Sequence, residues 1–208
     1  MRALLLAALL AAAPVYAETA RRAIVCAGDS ITHGRTDNAP SYPDRLAALL
    51  PAGSTVANIG VAGAASNILD LYERLLAESR VRPDTVILLF GTNDWAAGIS
   101  PHDGVRHLRT MARLARSAGA ARVIVLTPPP IICLPPRCAP SNAGTMAQQN
   151  AHVRDLAHAI YAARWPHWIT IGDLRDALAL DWRAMTLEGV HPTSDGNAAI
   201  ATFVASLL

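Results

Sequence analysis

The sequence predicts an α/β fold, a three-layer α/β/α sandwich built on a mostly parallel five-stranded sheet. Short apolar runs rich in β-branched residues alternate along the chain with longer amphipathic stretches, which is the pattern of repeated strand-helix units. The chain has 208 residues and contains neither an internal repeat nor a low-complexity linker. This length suits a single hydrophobic core, so we expect one domain.

Each element follows from this alternation. Strands are predicted where the apolar runs are short and bounded by turn residues, at 23–27, 55–59, 85–90, 122–127 and 168–171. Helices are predicted at 43–50, 67–79, 102–118 and 145–163, with a last helix that ends near Leu207. Ser100 and Pro101 suit the start of the third helix, and Ser194 or Asp195 suits the start of the last.

The first 17 residues have the pattern of a signal peptide. Arg2 provides a basic start, residues 3–13 are apolar, and Ala17 ends a stretch suited to cleavage. An uncleaved anchor is the alternative, but this apolar stretch is short for a membrane span. We therefore expect a secreted or periplasmic domain of residues 18–208 without stable membrane insertion.

Charge and residue usage exclude several functions. The chain has 18 basic residues against 16 acidic ones, and every basic residue is arginine. So weak a balance, with no basic cluster along the sequence, does not support nucleic-acid binding. Without lysine, a serine-lysine dyad, a Schiff base and a Walker-type phosphate site are excluded.

The three cysteines have different expected roles. Cys133 and Cys138 flank a proline-rich segment at a spacing that can close a small disulfide ring in an oxidising compartment. Free thiols are the alternative, since the pairing depends on geometry. Cys26 lies inside an apolar run, so we expect a buried core thiol.

Four separated segments carry the residues that are candidates for chemistry. They are 28–32 after the first predicted strand, 58–60 after the second, 91–94 after the third, and 188–192 near the C-terminus. In open α/β sheets, ligands bind beyond the carboxyl ends of the strands. We therefore expect these segments to meet at one edge of the sheet.

Ser30 lies where the first predicted strand gives way to a helix. A serine hydroxyl becomes a useful nucleophile only when a neighbouring base takes its proton, and the resulting oxyanion needs preorganised donors. A strand-to-helix turn exposes the hydroxyl and points backbone N–H groups outward. Gly28-Asp29-Ser30 alone is also typical of a helix cap or turn, so the other segments decide its interpretation.

Taken in order, the four segments resemble the motifs of SGNH, or GDSL-like, hydrolases over nearly all of the chain after residue 17. The matching blocks are Gly28-Asp29-Ser30, Gly60, Gly91-Thr92-Asn93-Asp94 and His191-Pro192. The resemblance implies a flavodoxin-like SGNH hydrolase fold and an esterase in which Ser30 attacks an ester carbonyl. It also implies an oxyanion hole formed by the N–H groups of Ser30 and Gly60 and by the side-chain amide of Asn93.

The residue types at these positions suit the implied roles. Gly60 allows the backbone to approach a substrate closely, and Asn93 supplies a neutral donor at a strand end. Standing alone, each would be more typical of a turn. We expect Asp29 and Asp94 to brace their loops by accepting backbone hydrogen bonds, and we assign neither to catalysis.

His191 is the candidate general base among the seven histidines. The family places this histidine in a short Asp-x-x-His loop, and here Glu188 stands at the acid position. Glutamate orients histidine in Ser-His-Glu triads on other folds, so we predict a triad of Ser30, Glu188 and His191. Asp195, Asp181 or a backbone carbonyl are the alternatives to Glu188.

The other histidines have simpler interpretations. His33 lies three residues after Ser30 and can line the pocket, but it is tied to the turn of the nucleophile itself. Surface or packing roles are expected for the rest, which are His102, His107, His152, His158 and His167.

Three functions follow from this site. They are a carboxylic ester hydrolase, an O-acyltransferase acting on a sugar or alcohol, and a non-catalytic binding module. Ser30, Asn93 and His191 argue against the third, and the lack of membrane-spanning acyl-donor machinery argues against the second. No spacing is typical of zinc or two-metal sites, so we expect neither metal nor cofactor. The expected substrate is a small lipid, aryl or carbohydrate ester with a short acyl group, and the expected state is a monomer.

Overall fold

The computed structural model describes residues 21–34, 39–135, 138–139, 141 and 143–208. The predicted signal peptide, residues 1–17, lies outside the described residues and stays a prediction. Within the described part of the chain, no helix is both long enough and apolar enough to cross a membrane.

Five strands form one sheet, and each lies within one residue of its predicted limits. They are β1 (Ala23–Gly28), β2 (Thr55–Asn58), β3 (Thr85–Leu89), β4 (Arg122–Leu126) and β5 (Ile169–Gly172). The sheet order is β2-β1-β3-β4-β5, and every pairing is parallel. This is the strand order of flavodoxin-like folds. The predicted fold class is confirmed.

Eight helices occur in the described residues, five of which were predicted. They are α1 (Ser30–His33), α2 (Tyr42–Leu49), α3 (Leu69–Glu78), α4 (Pro101–Ser117), α5 (Ala143–Ala162), α6 (Leu174–Leu178), α7 (Trp182–Met185) and α8 (Ser194–Ser206). Three helices had no predicted range: α1, where a helix was expected to begin at Ser30, and α6 and α7, which were not expected. Each of the three has four or five residues. Such helices are too short to show a 3.6-residue apolar period.

The helix caps test the predicted starts of two helices. Ser100 caps α4 as predicted, because its Oγ accepts the N–H of Asp103 at 3.1 Å and Pro101 follows it. The predicted cap of α8 is wrong by one residue. Thr193, rather than Ser194 or Asp195, is the N-cap, and its Oγ1 accepts the N–H of Gly196 at 3.1 Å.

Helices cover the sheet on both faces, so the central strands are buried on both sides. In β1, Val25 and Ala27 belong to a core shared with α3, α4 and α5. The alternate residues Ile24 and Cys26 belong to a second core with α2 and α8. Cys26 is fully buried, as predicted, and burial raises the pKa of its thiol to about 12.

The sheet order determines where a site can form. The chain leaves β1 towards β2 on one side and later returns to β3 on the other, so the connections after β1 and β3 diverge. A crevice opens at such a switch point beyond the carboxyl ends of the strands. The segment that begins at Asp29 and the segment that begins at Phe90 flank this crevice.

Candidate active site

Ser30 is the first residue of α1, directly after the central strand β1. The buried side chain of Asp29 caps the helix, because its Oδ1 accepts the N–H of Ile31 at 2.9 Å. A side chain at position 28 would collide with the Thr32 side chain and the Leu89 carbonyl, so only glycine fits there. The chain therefore turns sharply between strand and helix. The Ser30 N–H lies in the first turn of α1, where N–H groups have no helical partner.

The structure brings the three predicted triad residues together. The Oγ of Ser30 lies 3.0 Å from Nε2 of His191. On the other side of the imidazole, Nδ1 of His191 contacts Oε1 of Glu188. The side chains of His191 and Glu188 are 23% and 13% exposed, so both are largely shielded from solvent. This geometry suits proton transfer from the hydroxyl to Nε2, with the carboxylate fixing the tautomer.

The alternative acids do not reach the imidazole. Asp181 is the N-cap residue of α7 and Asp195 lies in the first turn of α8. Neither makes a hydrogen bond or ion pair with His191. Glu188 is thus the carboxylate that the fold places against this histidine. Its side chain is one methylene longer than that of aspartate and reaches Nδ1 of the imidazole.

A small turn holds Glu188 and His191 in one loop. An isolated antiparallel bridge pairs Thr186 with Pro192 and closes the loop at its base. The carbonyl of His191 accepts the N–H of Leu187 and the hydroxyl of Thr186, both at 2.9 Å. These bonds fix the backbone on each side of the imidazole, outside the sheet.

The same loop docks on the segment that leads to the disulfide. Gly189 has a φ of 94°, and its carbonyl accepts the N–H of Ile132 at 3.0 Å. A Cβ at position 189 would collide with the Ile132 carbonyl. Cys133 follows directly and forms a disulfide with Cys138, which confirms the predicted pairing. The connection after β4 therefore supports the histidine loop.

Gly60 lies against the nucleophile turn, where a Cβ would collide with the backbone N of His33. Its N–H donates to Oδ1 of Asn58 at 2.9 Å, and its carbonyl lies 3.0 Å from Nδ1 of His33. The Nδ2 of Asn58 donates in turn to the Thr32 carbonyl at 2.8 Å. The predicted oxyanion donor is thus already engaged by a neighbouring side chain. The sequence reasoning gave no role to Asn58, although Asn-x-Gly is typical of an Asx turn.

Asn93 follows β3 at the opposite side of the crevice. Its Nδ2 donates to the Ala64 carbonyl at 2.9 Å. A side-chain amide has two N–H donors, so this bond leaves the second available to a ligand. The side chain is partly exposed, whereas the neighbouring Thr92 and Asp94 are buried.

The two aspartates of the motifs brace their loops, as predicted. Asp94 accepts the N–H of Ser66 at 2.7 Å and its hydroxyl at 2.8 Å. The Ser66 hydroxyl also lies 3.0 Å from Nδ1 of His107, a contact that no sequence pattern indicated. Burial raises the pKa of Asp29 to about 6, although the Ile31 N–H and the nearby imidazole of His191 act in the opposite direction.

A serine hydroxyl bonded to an imidazole that a carboxylate holds is the arrangement of serine hydrolases. The sequence profile of the GDSL-like lipase/acylhydrolase family matches residues 26–199, and the chain belongs to this family. It is accordingly a carboxylic ester hydrolase. Comparison with curated protein sequences finds no significant match.

Solved structures share the fold over nearly the whole chain. A lipolytic G-D-S-L family protein from Veillonella parvula has a TM-score of 0.69 at 22% identity, covering 89% of this chain and 97% of that one. A carbohydrate acetylesterase family member from Sinorhizobium meliloti has a TM-score of 0.70 at 16% identity, with coverages of 89% and 96%. An acetylxylan esterase from Geobacillus stearothermophilus has a TM-score of 0.61 at 20% identity, with coverages of 89% and 93%.

Proposed function

We propose that this chain is a serine esterase that hydrolyses short acyl or acetyl esters through an acyl-enzyme on Ser30. The observation that carries the proposal is the 3.0 Å contact between Ser30 Oγ and His191 Nε2. His191 takes the hydroxyl proton as Oγ attacks the ester carbonyl, and returns it to the alcohol as the C–O bond breaks. Water then attacks the acyl-enzyme with the same base, which releases the acid and restores Ser30.

Glu188 acts as the residue that orients His191. Its contact with Nδ1 keeps the proton of the neutral imidazole on Nδ1, which leaves Nε2 free to accept the Ser30 proton. The carboxylate also stabilises the imidazolium that forms during the attack.

The oxyanion hole consists of the Ser30 N–H, the Gly60 N–H and the Asn93 side chain. The second N–H of the Asn93 side chain and the backbone N–H of Ser30 support the assignment. The first is not used by the bond to the Ala64 carbonyl, and the second lies in the first turn of α1, where N–H groups have no helical partner. The Gly60 N–H already donates to Asn58. It must either donate to Asn58 and the oxyanion at the same time or give up its hydrogen bond to Asn58. Preorganised donors of this kind stabilise the charge that develops in the transition state.

Acetyl esters of carbohydrates are the substrates that the comparisons favour. Two of the structures that share the fold are described as a carbohydrate acetylesterase family member and an acetylxylan esterase. Turnover measured over an acyl series from acetate to palmitate, and on acetylated xylan, tests this choice. Faster hydrolysis of long acyl chains would contradict it.

We also infer that the protein works outside the cytoplasm. The disulfide between Cys133 and Cys138 supports this location, because such bonds persist in oxidising compartments. The signal-peptide pattern of residues 1–17 points to the same compartment. Fractionation of the expressing cells, followed by N-terminal sequencing, tests export and cleavage after Ala17.

The Ser30→Ala variant tests the nucleophile. We expect it to lose hydrolysis of p-nitrophenyl acetate and labelling by a fluorophosphonate, while the melting temperature stays close to that of the parent. Ser117→Ala, which removes an exposed hydroxyl at the end of α4, is the matched control and should retain both. Turnover retained by Ser30→Ala, or sensitivity of the parent to EDTA, would reject the mechanism.

A further inference from the structure

One face of α4 carries four arginines that are not adjacent in the sequence but come together in the helix. Arg106, Arg109, Arg113 and Arg116 are separated by three or four residues, which brings them to the same side of a helix. Arg164, just after α5, joins them, because its carbonyl accepts a hydrogen bond from Arg109 at 2.9 Å. The expectation that no basic cluster exists is therefore wrong for this face.

Two adjacent concavities run along this face and share Arg109. One has a volume of about 450 Å³ and is bounded by Arg109, Arg113, Arg164 and Trp168. The other has a volume of about 440 Å³ and lies between α4 and α5, over Arg106 and the small side chains of Ala159 and Ala162. Each volume falls in the range of small-ligand sites. They meet at Arg109, and we call the two together the α4–α5 groove.

The charges of the α4–α5 groove are poorly neutralised by the protein. Asp103 pairs with Arg106 at 3.0 Å. Among the described residues, no carboxylate lies within ion-pair distance of Arg109, Arg113 or Arg164. No acidic residue lines either concavity. The groove therefore presents a positive field although the formal net charge of the whole chain is only +2.

Two tryptophans stiffen the basic surface. The guanidinium of Arg109 stacks over Trp165 at 5.3 Å, and that of Arg116 stacks over Trp168 at 5.6 Å. Stacking on an aromatic face holds a guanidinium in a defined plane, so less conformational freedom is lost when it binds an anion.

We propose that the α4–α5 groove binds an acidic polysaccharide whose sugars carry carboxylates. Guanidinium groups match the geometry of a carboxylate with two parallel hydrogen bonds. Trp168 and the alanines of α5 line the two concavities and offer apolar surface to the sugar rings. Since no lining residue belongs to the site around Ser30, the groove holds the polymer apart from the reacting serine.

The shape of the groove favours this occupant over a membrane or a duplex nucleic acid. A lipid surface is contacted by protruding apolar side chains, and the large exposed apolar residues of the described chain lie elsewhere, at Leu49, Tyr161, Leu180 and Leu187. Duplex nucleic acid requires a broad basic surface. A depression between α4 and α5 with guanidinium groups along it fits a single extended chain.

Titration of the Ser30→Ala protein with polygalacturonate tests the proposal without turnover. We expect saturable binding that weakens as salt rises. Reversing two exposed charges, Arg113→Glu with Arg164→Glu, should weaken binding by about ten-fold or more. The matched control reverses two exposed arginines outside the groove, Arg74→Glu with Arg183→Glu, and should bind as the parent does. Melting temperatures check that both variants fold, and Arg113→Gln replaces the double variant if it does not.

Three results would overturn the proposal. They are equal loss of affinity in the two double variants, equal binding of neutral xylan, and preferential binding of duplex DNA or of phosphatidylglycerol vesicles. Because the assay contains no catalytic serine, its failure leaves the esterase proposal intact. Likewise, a parent protein that hydrolyses no ester would leave the binding result unchanged.

Discussion

The turn that carries Ser30 and the loop that carries His191 are held in different ways. Ser30 follows a strand that is buried on both faces, and a fully buried aspartate caps its helix. The loop of Glu188 and His191 lies outside the sheet, closed by a single bridge and docked through Gly189 on Ile132. The nucleophile is thus positioned by the core, whereas the base is positioned by contacts between two connections.

The two parts of the site should therefore respond differently to substitution. Core packing resists small perturbations because every neighbour is fixed by many others. A loop held by a few hydrogen bonds opens at lower cost. Substitutions that disturb the histidine loop should therefore reduce turnover with little loss of stability, whereas changes around Asp29 should show in stability.

The largest effect should come from His191→Ala. Without the base, Ser30 keeps its proton at the moment of attack, so we expect kcat to fall by about 10⁴-fold. Steady-state kinetics on p-nitrophenyl acetate measures this loss, and an unchanged melting temperature would place it in the chemistry. A loss below ten-fold would show that another group acts as the base.

Glu188→Gln should have the next largest effect. The amide removes the negative charge that holds the imidazole tautomer, so we expect kcat to fall by about 10³-fold. Asp195→Asn is the control, since Asp195 lies in the first turn of α8 and makes no contact with the imidazole. If only Asp195→Asn loses activity, the acid is assigned incorrectly.

Gly189→Ala disturbs the docking of the loop without touching the triad. A Cβ there would collide with the Ile132 carbonyl, and the φ of 94° disfavours any other residue. We expect kcat to fall by about 10²-fold, since small misplacements of catalytic groups are costly. Gly144→Ala, where a Cβ meets open space, should keep full activity. Equal activities in the two variants would show that the contact of Gly189 with Ile132 is not needed for catalysis.

Asp29 allows the core-held turn to be tested by pH. Burial raises its pKa from 3.8 to about 6, so the native state keeps this proton to a higher pH than the unfolded chain does. The contribution of this group to the free energy of unfolding therefore falls as the pH rises from about 4 to about 6, by roughly 3 kcal/mol, and is constant at higher pH. Urea unfolding of the parent and of Asp29→Asn at several pH values gives the difference. If the difference in unfolding free energy between the two proteins did not change with pH across this range, the raised pKa of Asp29 would be contradicted.

The smallest effect should come from opening the disulfide. Cys133 lies beside Ile132, so replacing both cysteines, Cys133→Ser with Cys138→Ser, loosens the surface on which Gly189 docks. We expect kcat to fall by about three-fold, because the hydrogen bond from Ile132 remains. Dithiothreitol should reproduce the loss in the parent and leave the double variant unchanged. A loss in the treated double variant would assign the effect to something other than this bond.

Much of this molecule follows from local patterns. The limits of the strands were predicted to within one residue, because short runs of β-branched apolar residues bounded by turn residues are typical of strands. Ser30, Gly60 and Asn93 each follow a strand, so the sequence predicted that they lie at one edge of a parallel sheet. His191 follows no strand and was predicted from the resemblance to SGNH hydrolases. Helices α6 and α7 were not predicted, and α1 had no predicted end, because so short a helix shows no apolar period.

The amino-acid sequence was sufficient to predict the fold class and the four segments that carry the site, because these depend on local patterns and on their order along the chain. Only the tertiary structure decided which acid contacts His191, that Asn58 engages the Gly60 N–H, and that Gly189 docks on Ile132. These are contacts between segments, and their geometry depends on how the connections pack. The nucleophile could therefore be predicted from the order of the four motif segments, whereas the contacts that support its base could not.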